Sequence, residues 1–221
     1  MTEHRTLLAC GEHAVLVEVG GLDQVVSFDH AVREAVAAGT PGFTDVVDIV
    51  PAATTVLVVV ADQAGVVALR QVLATLPAAA AGEVAASDQE VIEIPVRYDG
   101  PDLTDVAKLT GLSVTEVIAA HTGTDWRVAF GGFAPGFAYL SWGDPRLGVP
   151  RRKEPRTSVP SGAVALAGEF SAIYPRSSPG GWQLIGRTDV VVFDIDRDPP
   201  ALLQPGAVVR FVEESGAGDG H

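Results

Sequence analysis

Residues 131–188 read GGFAPGFAYLSWGDPRLGVPRRKEPRTSVPSGAVALAGEFSAIYPRSSPGGWQLIGRT. Gly, Pro, aromatic and Arg residues are interleaved in this segment without a helical period. Short apolar runs bounded by Gly and Pro predict a β-barrel or a β-sandwich. We expect strands at 127–130, 163–167, 182–185, 190–195 and 208–212.

The same segment gathers positive charge in an acidic protein. Seven Lys and Arg residues and two Glu residues lie between Arg146 and Arg187, so this part carries +5, whereas the whole chain carries −13. Such a separation of charge indicates a site for a small anion or an acidic partner surface. A broad basic footprint is missing, which argues against nucleic-acid binding.

A stiff loop is expected to present the central arginines. Prolines at 145, 150, 155 and 160 recur every five residues, which forbids helix and favours an extended path. Arg151, Arg152 and Arg156 therefore form a preorganised anion site, because a stiff loop loses little entropy on binding. The alternative is a structural loop whose arginines pair with Glu154 and nearby carboxylates.

Two neighbouring stretches supply further candidate contacts. In SSPGGW, residues 177–182, the paired glycines would allow positive φ and leave backbone N–H groups pointing at an oxyanion or carboxylate. In FAPGFAY, residues 133–139, the aromatic rings could line a pocket or simply pack. The candidate substrate-binding residues are Phe133, Pro135, Phe137, Arg151, Arg152, Arg156, Ser178, Gly180, Gly181, Trp182, Arg187 and Thr188; Tyr174 is the candidate for proton transfer.

The first hundred residues predict a compact α/β unit. We expect strands at 14–19, 43–50, 54–60 and 90–96, the third of them buried on both faces, and helices at 22–38 and 62–76, the latter capped by Asp62. This β-α-β-β-α-β order fits a ferredoxin-like arrangement. Residues 78–87 read as a flexible connection. Two short helices follow within 102–122, capped by Asp102 and by a Ser113–Glu116 capping box.

Composition excludes several kinds of site. The single Cys10 rules out disulfides within the chain and a Cys-rich metal site, and the five histidines lack metal-ligand spacing, so no metal cluster is expected. No phosphate-binding G-x-x-x-x-G-K-[ST] loop is present. No run approaches the roughly 18 apolar residues of a membrane span, and the N-terminal sequence lacks signal-peptide features, so we expect a cytoplasmic protein.

Three blocks of the sequence resemble a known family: GFAPGFAYL at 132–140, PRLGVPRRKEPRTSVPSGAVALAG at 145–168 and IYPRSSPGGWQLIGRT at 173–188. They look like the signatures of the B-type subunit of bacterial 5-oxoprolinase, also called allophanate hydrolase subunit 1, a family related to the carboxyltransferase domain of urea carboxylase. The resemblance implies an α+β chain: a ferredoxin-like α/β domain over 1–88, a cyclophilin-like β-barrel over 89–212, and a disordered tail at 213–221.

The resemblance also implies partners and a reaction. Family members pair with a homologous C-type subunit, forming a heterodimer or heterotetramer, and with a separate A-type subunit they use ATP to open 5-oxoproline to glutamate. We expect this chain to supply an anion-binding half-site and to be inactive alone. Alternatives are an inhibitor that binds a sensor histidine kinase, a subunit that acts on a urea or allophanate amide, and a scaffold. Ala163, Phe170 and Ser171 depart from the family pattern, so the substrate could differ.

Overall fold

The structure is a computed structural model that describes residues 5–77 and 91–214. The chain divides into two compact units, Met1–Asp88 and Gln89–His221. The predicted connection at 78–87 lies outside the described residues, as do residues 215–221 of the predicted tail. No helix within the described ranges is long and apolar enough to cross a membrane.

The first unit is an antiparallel sheet with two helices. Its elements are β1 (Thr6–Cys10), β2 (Ala14–Glu18), α1 (Leu22–Ala37), β3 (Val46–Pro51), β4 (Thr55–Val60) and α2 (Gly65–Thr75). The strand order is β1-β2-β4-β3. Helix α1 connects β2 to β3 with β4 between them, which is the split β-α-β arrangement of ferredoxin-like folds.

The strand that completes this sheet is not the predicted one. Residues 92–96 form a strand of the second unit, and β1 occupies the outer position beside β2 instead. Gly11, at φ 65°, lies in the tight turn that joins β1 to β2. Sequence order alone could not choose between these two strands, because one precedes and the other follows the same β-α-β-β-α segment.

Two details of the first unit also differ from the sequence expectations. Asp62 accepts a hydrogen bond from the N–H of Ala64 (3.0 Å), so it stabilises the turn before α2 and does not cap that helix. In β4 the buried residues alternate with half-buried ones, so only one face is fully covered. That face packs against Val25, Phe28 and Val32 of α1 in one apolar core.

The second unit contains most of the β-structure. Its elements are β5 (Ile92–Val96), α3 (Leu103–Thr110), α4 (Val114–Thr122), β6 (Trp126–Gly131), β7 (Ala138–Ser141), β8 (Arg156–Val159), β9 (Ala163–Ala167), β10 (Phe170–Ile173), β11 (Ser178–Gly180), β12 (Gln183–Arg187) and β13 (Val208–Glu213). Seven strands form one sheet in the order β12-β9-β10-β7-β6-β13-β5, and β8 pairs with β11. Strands β5 and β13 are parallel; the other pairs are antiparallel.

This sheet nearly closes into a barrel. Its first and last strands meet at Arg187 and Arg97, whose backbones exchange two N–H···O hydrogen bonds of 2.9 Å. After Arg97 the chain runs alongside β12. There the N–H of Gly100 donates to the Ile185 carbonyl (3.2 Å) and the N–H of Asp102 donates to the Leu184 carbonyl (3.0 Å). The predicted α+β class is therefore confirmed, and the barrel is consistent with a cyclophilin-like fold.

Two predictions for the second unit were wrong. Residues 190–195 form no strand; Phe193 makes only an isolated bridge to Ala201. Pro145 begins a short 3-10 turn (Pro145–Leu147), so the proline repeat does not forbid helix at that point. Proline is tolerated there because the first turn of a helix has no use for its missing N–H.

Candidate functional site

A buried carboxylate organises the arginine loop. Asp102 is only 2% exposed, and its Oδ1 accepts hydrogen bonds from Arg152 Nη1 (2.6 Å) and Arg156 Nη2 (2.8 Å). Its Oδ2 accepts the backbone N–H of Leu184 (2.7 Å). Asp102 occupies the N-cap position of α3, yet its side chain makes no capping hydrogen bond, contrary to the prediction. Both oxygens are instead committed to these three donors.

The environment of Asp102 keeps it ionised. Burial, the largest single influence, raises its pKa, but the hydrogen bonds from Arg156 and Leu184 and the charges of Arg156 and Arg152 outweigh that effect. The net result is a pKa below the usual aspartate value. The carboxylate therefore neutralises part of the charge that the sequence places on this loop.

Three of the four candidate arginines have carboxylate partners within the chain. Arg152 and Arg156 share Asp102, and Arg187 pairs with Asp99 (2.8 Å) beside the barrel closure. Arg151 differs. Among residues 5–77 and 91–214, no carboxylate oxygen lies within 4.0 Å of the Arg151 guanidinium, which is the distance limit for a salt bridge. Arg151 is therefore the candidate arginine whose charge is most available to an anion.

The charge of Arg151 affects the pKa values of two tyrosine hydroxyls. Burial raises the pKa of the Tyr139 and Tyr174 hydroxyls, and the positive charge of Arg151 partly offsets that rise for both. The two hydroxyls also influence each other, because Tyr139 raises the pKa of Tyr174. The charge of one guanidinium thus acts on two phenols, and both phenols carry their protons at neutral pH. Tyr139 belongs to the aromatic stretch 133–139 but is not among the candidate site residues predicted from the sequence.

An aromatic cluster supports this polar group. The Phe137 ring is surrounded edge to face by Phe133, Tyr139, Tyr174 and Trp182, with ring centroids 5.2, 5.2, 5.3 and 5.6 Å away. Such contacts hold rings in fixed orientations. Phe137, Tyr174 and Trp182 are buried, whereas Phe133 is 61% exposed and has φ 64°, which is rare for a bulky residue. Pro135 lies exposed in the same loop.

Phe170 extends the cluster on the side of Tyr139. Its ring lies 5.5 Å from that of Tyr139 and 5.8 Å from that of Phe130, both edge to face. In this chain the position is therefore an apolar wall of the cluster rather than a polar contact.

The glycine turn differs from its predicted role. Neither Gly180 nor Gly181 has positive φ. Gly180 is required for another reason, because a Cβ there would overlap the hydroxyl of Tyr174. The backbone N–H of Trp182 partly offsets the rise in the pKa of that hydroxyl that burial causes, and the Gly181 carbonyl accepts the N–H of Arg152 (2.7 Å). The turn thus contacts Tyr174 and positions the arginine loop.

The remaining candidates lie at the edges of this group. Ser178 pairs with Val159 in the short β8–β11 ladder, and its hydroxyl donates weakly to the Arg176 carbonyl (3.4 Å). The Thr188 hydroxyl accepts the N–H of Val190 (3.2 Å). Thr188 and Tyr174 both line a recess of about 240 Å³. Among the described residues, no group of His, Cys, Asp and Glu side chains could hold a metal ion.

A buried polar network lies apart from this group. His121 on α4 is fully buried; its Nδ1 lies 2.7 Å from the Tyr98 hydroxyl and its Nε2 lies 2.9 Å from the Ser171 hydroxyl. Burial lowers the pKa of His121 to about 3. The imidazole is therefore neutral and inaccessible to a substrate. Its residues are scattered through the sequence, which gave no signal that they meet.

Comparison with known proteins places this geometry in context. The chain is 46% identical over 131 residues to the 5-oxoprolinase B subunit of Bacillus subtilis (strain 168), covering 58% of this chain and 55% of the relative. It is 48% identical over 130 residues to the 5-oxoprolinase B subunit of Escherichia coli O157:H7, covering 58% and 60%. The match thus spans less than two thirds of these relatives. The resemblance predicted from the three sequence blocks is confirmed.

Solved structures show the same fold. The crystal structure of TTHA0988 superposes with a TM-score of 0.74 at 38% identity, covering 92% of this chain and 40% of that protein. The urea amidolyase of K. lactis, at 20% identity, shares the fold with a TM-score of 0.74. The family described as carboxyltransferase domain, subdomain C and D, matches residues 5–203. This chain belongs to that family.

Proposed function

We propose that this chain is the B-type subunit of an ATP-dependent 5-oxoprolinase, which opens the lactam of 5-oxoproline to give glutamate. Similarity to proteins named as the B-type member of 5-oxoprolinase, at 46–48% identity, supports the proposal. In this proposal the chain contributes an anion-binding half-site and is inactive alone. It works in the cytoplasm, because the reaction consumes ATP.

The observation that carries the proposal is the position of Arg151. 5-Oxoproline is a small ring with one carboxylate, and a guanidinium can bind a carboxylate through two parallel hydrogen bonds. Arg152, Arg156 and Arg187 are already paired with Asp102 and Asp99. Arg151 therefore binds the substrate carboxylate, and the aromatic cluster beside it contacts the ring.

Tyr174 is the proposed proton donor. Its pKa is raised, so at neutral pH it is an acid and a hydrogen-bond donor rather than a base. In this proposal the phenolic proton is donated toward the lactam. A proton on the lactam favours ring opening, because the departing nitrogen then leaves as a neutral amine.

The other groups needed for the reaction come from partner proteins in this proposal. The described residues around Arg151 and Tyr174 contribute phenols, apolar rings and arginines. The chain corresponds to 40% of the TTHA0988 polypeptide, so that relative contains much additional chain. We assign the equivalent role to a homologous C-type subunit, in a heterodimer or heterotetramer, together with an A-type subunit. ATP is bound by the assembled complex.

Reconstitution with the A-type and C-type partners tests the proposal. We expect Arg151→Ala to raise the KM for 5-oxoproline at least tenfold and Arg151→Lys to have a smaller effect, because lysine keeps the charge without the two-pronged geometry. Lys108→Ala is the matched control, since it removes one positive charge from the exposed surface of α3. Unchanged ATP-dependent conversion by Arg151→Ala would contradict the role of Arg151, and an inactive wild-type complex would contradict the function.

A protein-binding inhibitor of a sensor histidine kinase is the second candidate. The exposed Phe133, held at positive φ beside the aromatic cluster, favours it, because strained and exposed aromatic residues often mark binding surfaces. Pull-down experiments separate the two functions. A stoichiometric complex with the C-type partner supports the enzyme, whereas binding of a kinase without that partner, abolished by Phe133→Ala, supports the inhibitor.

A further inference from the structure

Asp102 connects three segments that are distant in the sequence. It begins α3, its Oδ1 binds Arg152 and Arg156 of the arginine loop, and its Oδ2 binds the backbone of Leu184 in β12. The loop and the strand lie 50 to 82 residues from Asp102 along the chain. A single buried carboxylate therefore links the loop to the barrel.

The loop is also attached to the barrel on both sides of Arg151. The Pro150 carbonyl accepts a hydrogen bond from Gln183 Nε2 (3.1 Å), and the N–H of Arg152 donates to the Gly181 carbonyl (2.7 Å). Farther along, Arg156 faces Gly180 in the β8–β11 ladder. Arg151 thus projects from a short stretch whose two neighbours are fixed to Gln183 and Gly181, the residues on either side of Trp182.

The carboxylate of Asp102 adds a charged attachment to these two hydrogen bonds. Arg152 Nε and Arg156 Nη1 are buried and have no hydrogen-bond partner, so the two guanidinium groups are already short of acceptors. Without the carboxylate, two partly buried cations would face each other uncompensated, which is strongly unfavourable. The arginine side chains would then turn toward solvent and move the loop with them.

We propose that Asp102 is the positioning residue for Arg151: it fixes the loop 150–156 through Arg152 and Arg156 and thereby fixes the backbone from which the Arg151 side chain projects. The catalytic consequence rests on the proposed function. The positioning itself is a property of the isolated chain and can be measured without a substrate.

The first experiment compares amide hydrogen exchange in the wild type and Asp102→Asn. We expect exchange of the Arg152 amide, which does not touch Asp102 directly, to become at least tenfold faster, while Leu166 and Ala172 in the central strands keep their rates. Asp144→Asn is the matched control, because Asp144 likewise accepts a backbone N–H and binds an arginine, Arg146. It should leave the Arg152 amide unchanged. An unaltered Arg152 rate in Asp102→Asn would overturn the proposal.

The second experiment uses the reconstituted complex. We expect Asp102→Asn to raise the KM for 5-oxoproline at least tenfold with a smaller change in kcat. If Asp102 acts through Arg151, adding Asp102→Asn to Arg151→Ala lowers kcat/KM no further. If the two substitutions lower kcat/KM independently, so that their effects multiply in the double variant, the proposal that Asp102 acts through Arg151 is overturned. Inactivity of the wild-type complex would contradict the proposed function alone, because the exchange result still decides the positioning.

Should Asp102→Asn fail to fold, Arg156→Lys provides a second variant. It keeps a positive charge near Asp102 but removes the Nη2 hydrogen bond of 2.8 Å. The Arg152 amide is then expected to exchange faster than in the wild type, by a smaller factor than the loss of the carboxylate would cause. An unchanged rate would overturn the proposal.

Discussion

The hydroxyl of Tyr174 fills the space that a Cβ atom on Gly180 would occupy. No other residue type fits at position 180 unless the tyrosine ring moves. Gly181, the next residue, has no such restriction, since a Cβ there would lie 3.6 Å from Pro155, an ordinary van der Waals distance. The two adjacent glycines therefore differ in purpose, although the sequence presents them as a pair.

This difference predicts contrasting effects of the same substitution. Gly180→Ala should displace the Tyr174 ring, because an alanine methyl group and the hydroxyl cannot share one volume, and should lower the free energy of unfolding by about 1–3 kcal/mol. Gly181→Ala should change it by less than about 0.5 kcal/mol. Urea unfolding followed by tryptophan fluorescence measures both, since Trp126, Trp142 and Trp182 all lie in the second unit. Equal stabilities would contradict the steric argument.

Tyr174 and Tyr139 should affect the reaction differently. If Tyr174 donates a proton, Tyr174→Phe lowers kcat of the reconstituted complex about 100-fold or more with little change in KM. Tyr139→Phe, which removes a hydroxyl near Arg151, should mainly raise KM. Steady-state kinetics with 5-oxoproline distinguish the two patterns. A Tyr174→Phe complex with wild-type kcat would exclude this tyrosine as the proton donor.

His121 should make the stability of the second unit depend on pH. Its pKa is about 3 in the folded state because of burial, whereas an unfolded histidine has a pKa of about 6.5. Below pH 6.5 the unfolded state binds a proton that the folded state does not. The contribution of neutral His121 to the free energy of unfolding is therefore complete above pH 6.5. It is lost progressively as the pH falls toward 3, by about 1.4 kcal/mol per pH unit.

His121→Gln should remove this contribution to the pH dependence. Urea unfolding between pH 7 and pH 4 gives the slope, and the difference between wild type and variant isolates the histidine from other groups. Identical slopes for the wild type and His121→Gln would show that His121 does not become neutral on folding.

The closure of the barrel predicts a further sensitive position. A Cβ on Gly100 would overlap backbone atoms of Leu184, Ile185 and Gly186, which cannot move as a side chain can. We expect Gly100→Ala to destabilise the second unit by about 1–3 kcal/mol. At Gly148 a Cβ would meet its nearest neighbour at 3.5 Å, so Gly148→Ala should be tolerated. Thermal unfolding of the two variants compares them directly.

Local signals in the sequence predicted most of the elements but not their partners. The capping box of Ser113 and Glu116 and the helix over 22–37 follow from neighbouring residues, and both are present. The placement of residues 92–96 beside β13 depends on residues more than one hundred positions later. Pairing between distant strands leaves no local periodicity, so the sequence assigned this strand to the wrong sheet.

The candidate site shows the same limit. Composition drew attention to the arginine loop, because the concentration of charge is visible in the sequence. Which arginine remains available is decided by Asp99 and Asp102, which precede the loop by about fifty residues and carried no sign of their role. Tyr139 was likewise indistinguishable in the sequence from the other aromatic residues around it.

The parallel pairing of β5 with β13 has a consequence for how the protein is made. Strand β13 lies between β5 and β6 in the sheet, although it is the last strand among the described residues. During translation, β5 therefore waits for its neighbour until Val208–Glu213 has emerged from the ribosome, whereas the described strands of the first unit meet their partners within sixty residues. Pairing of two strands that lie so far apart in the sequence is slow. Ribosome-bound intermediates should accordingly display a finished first unit beside an unclosed barrel.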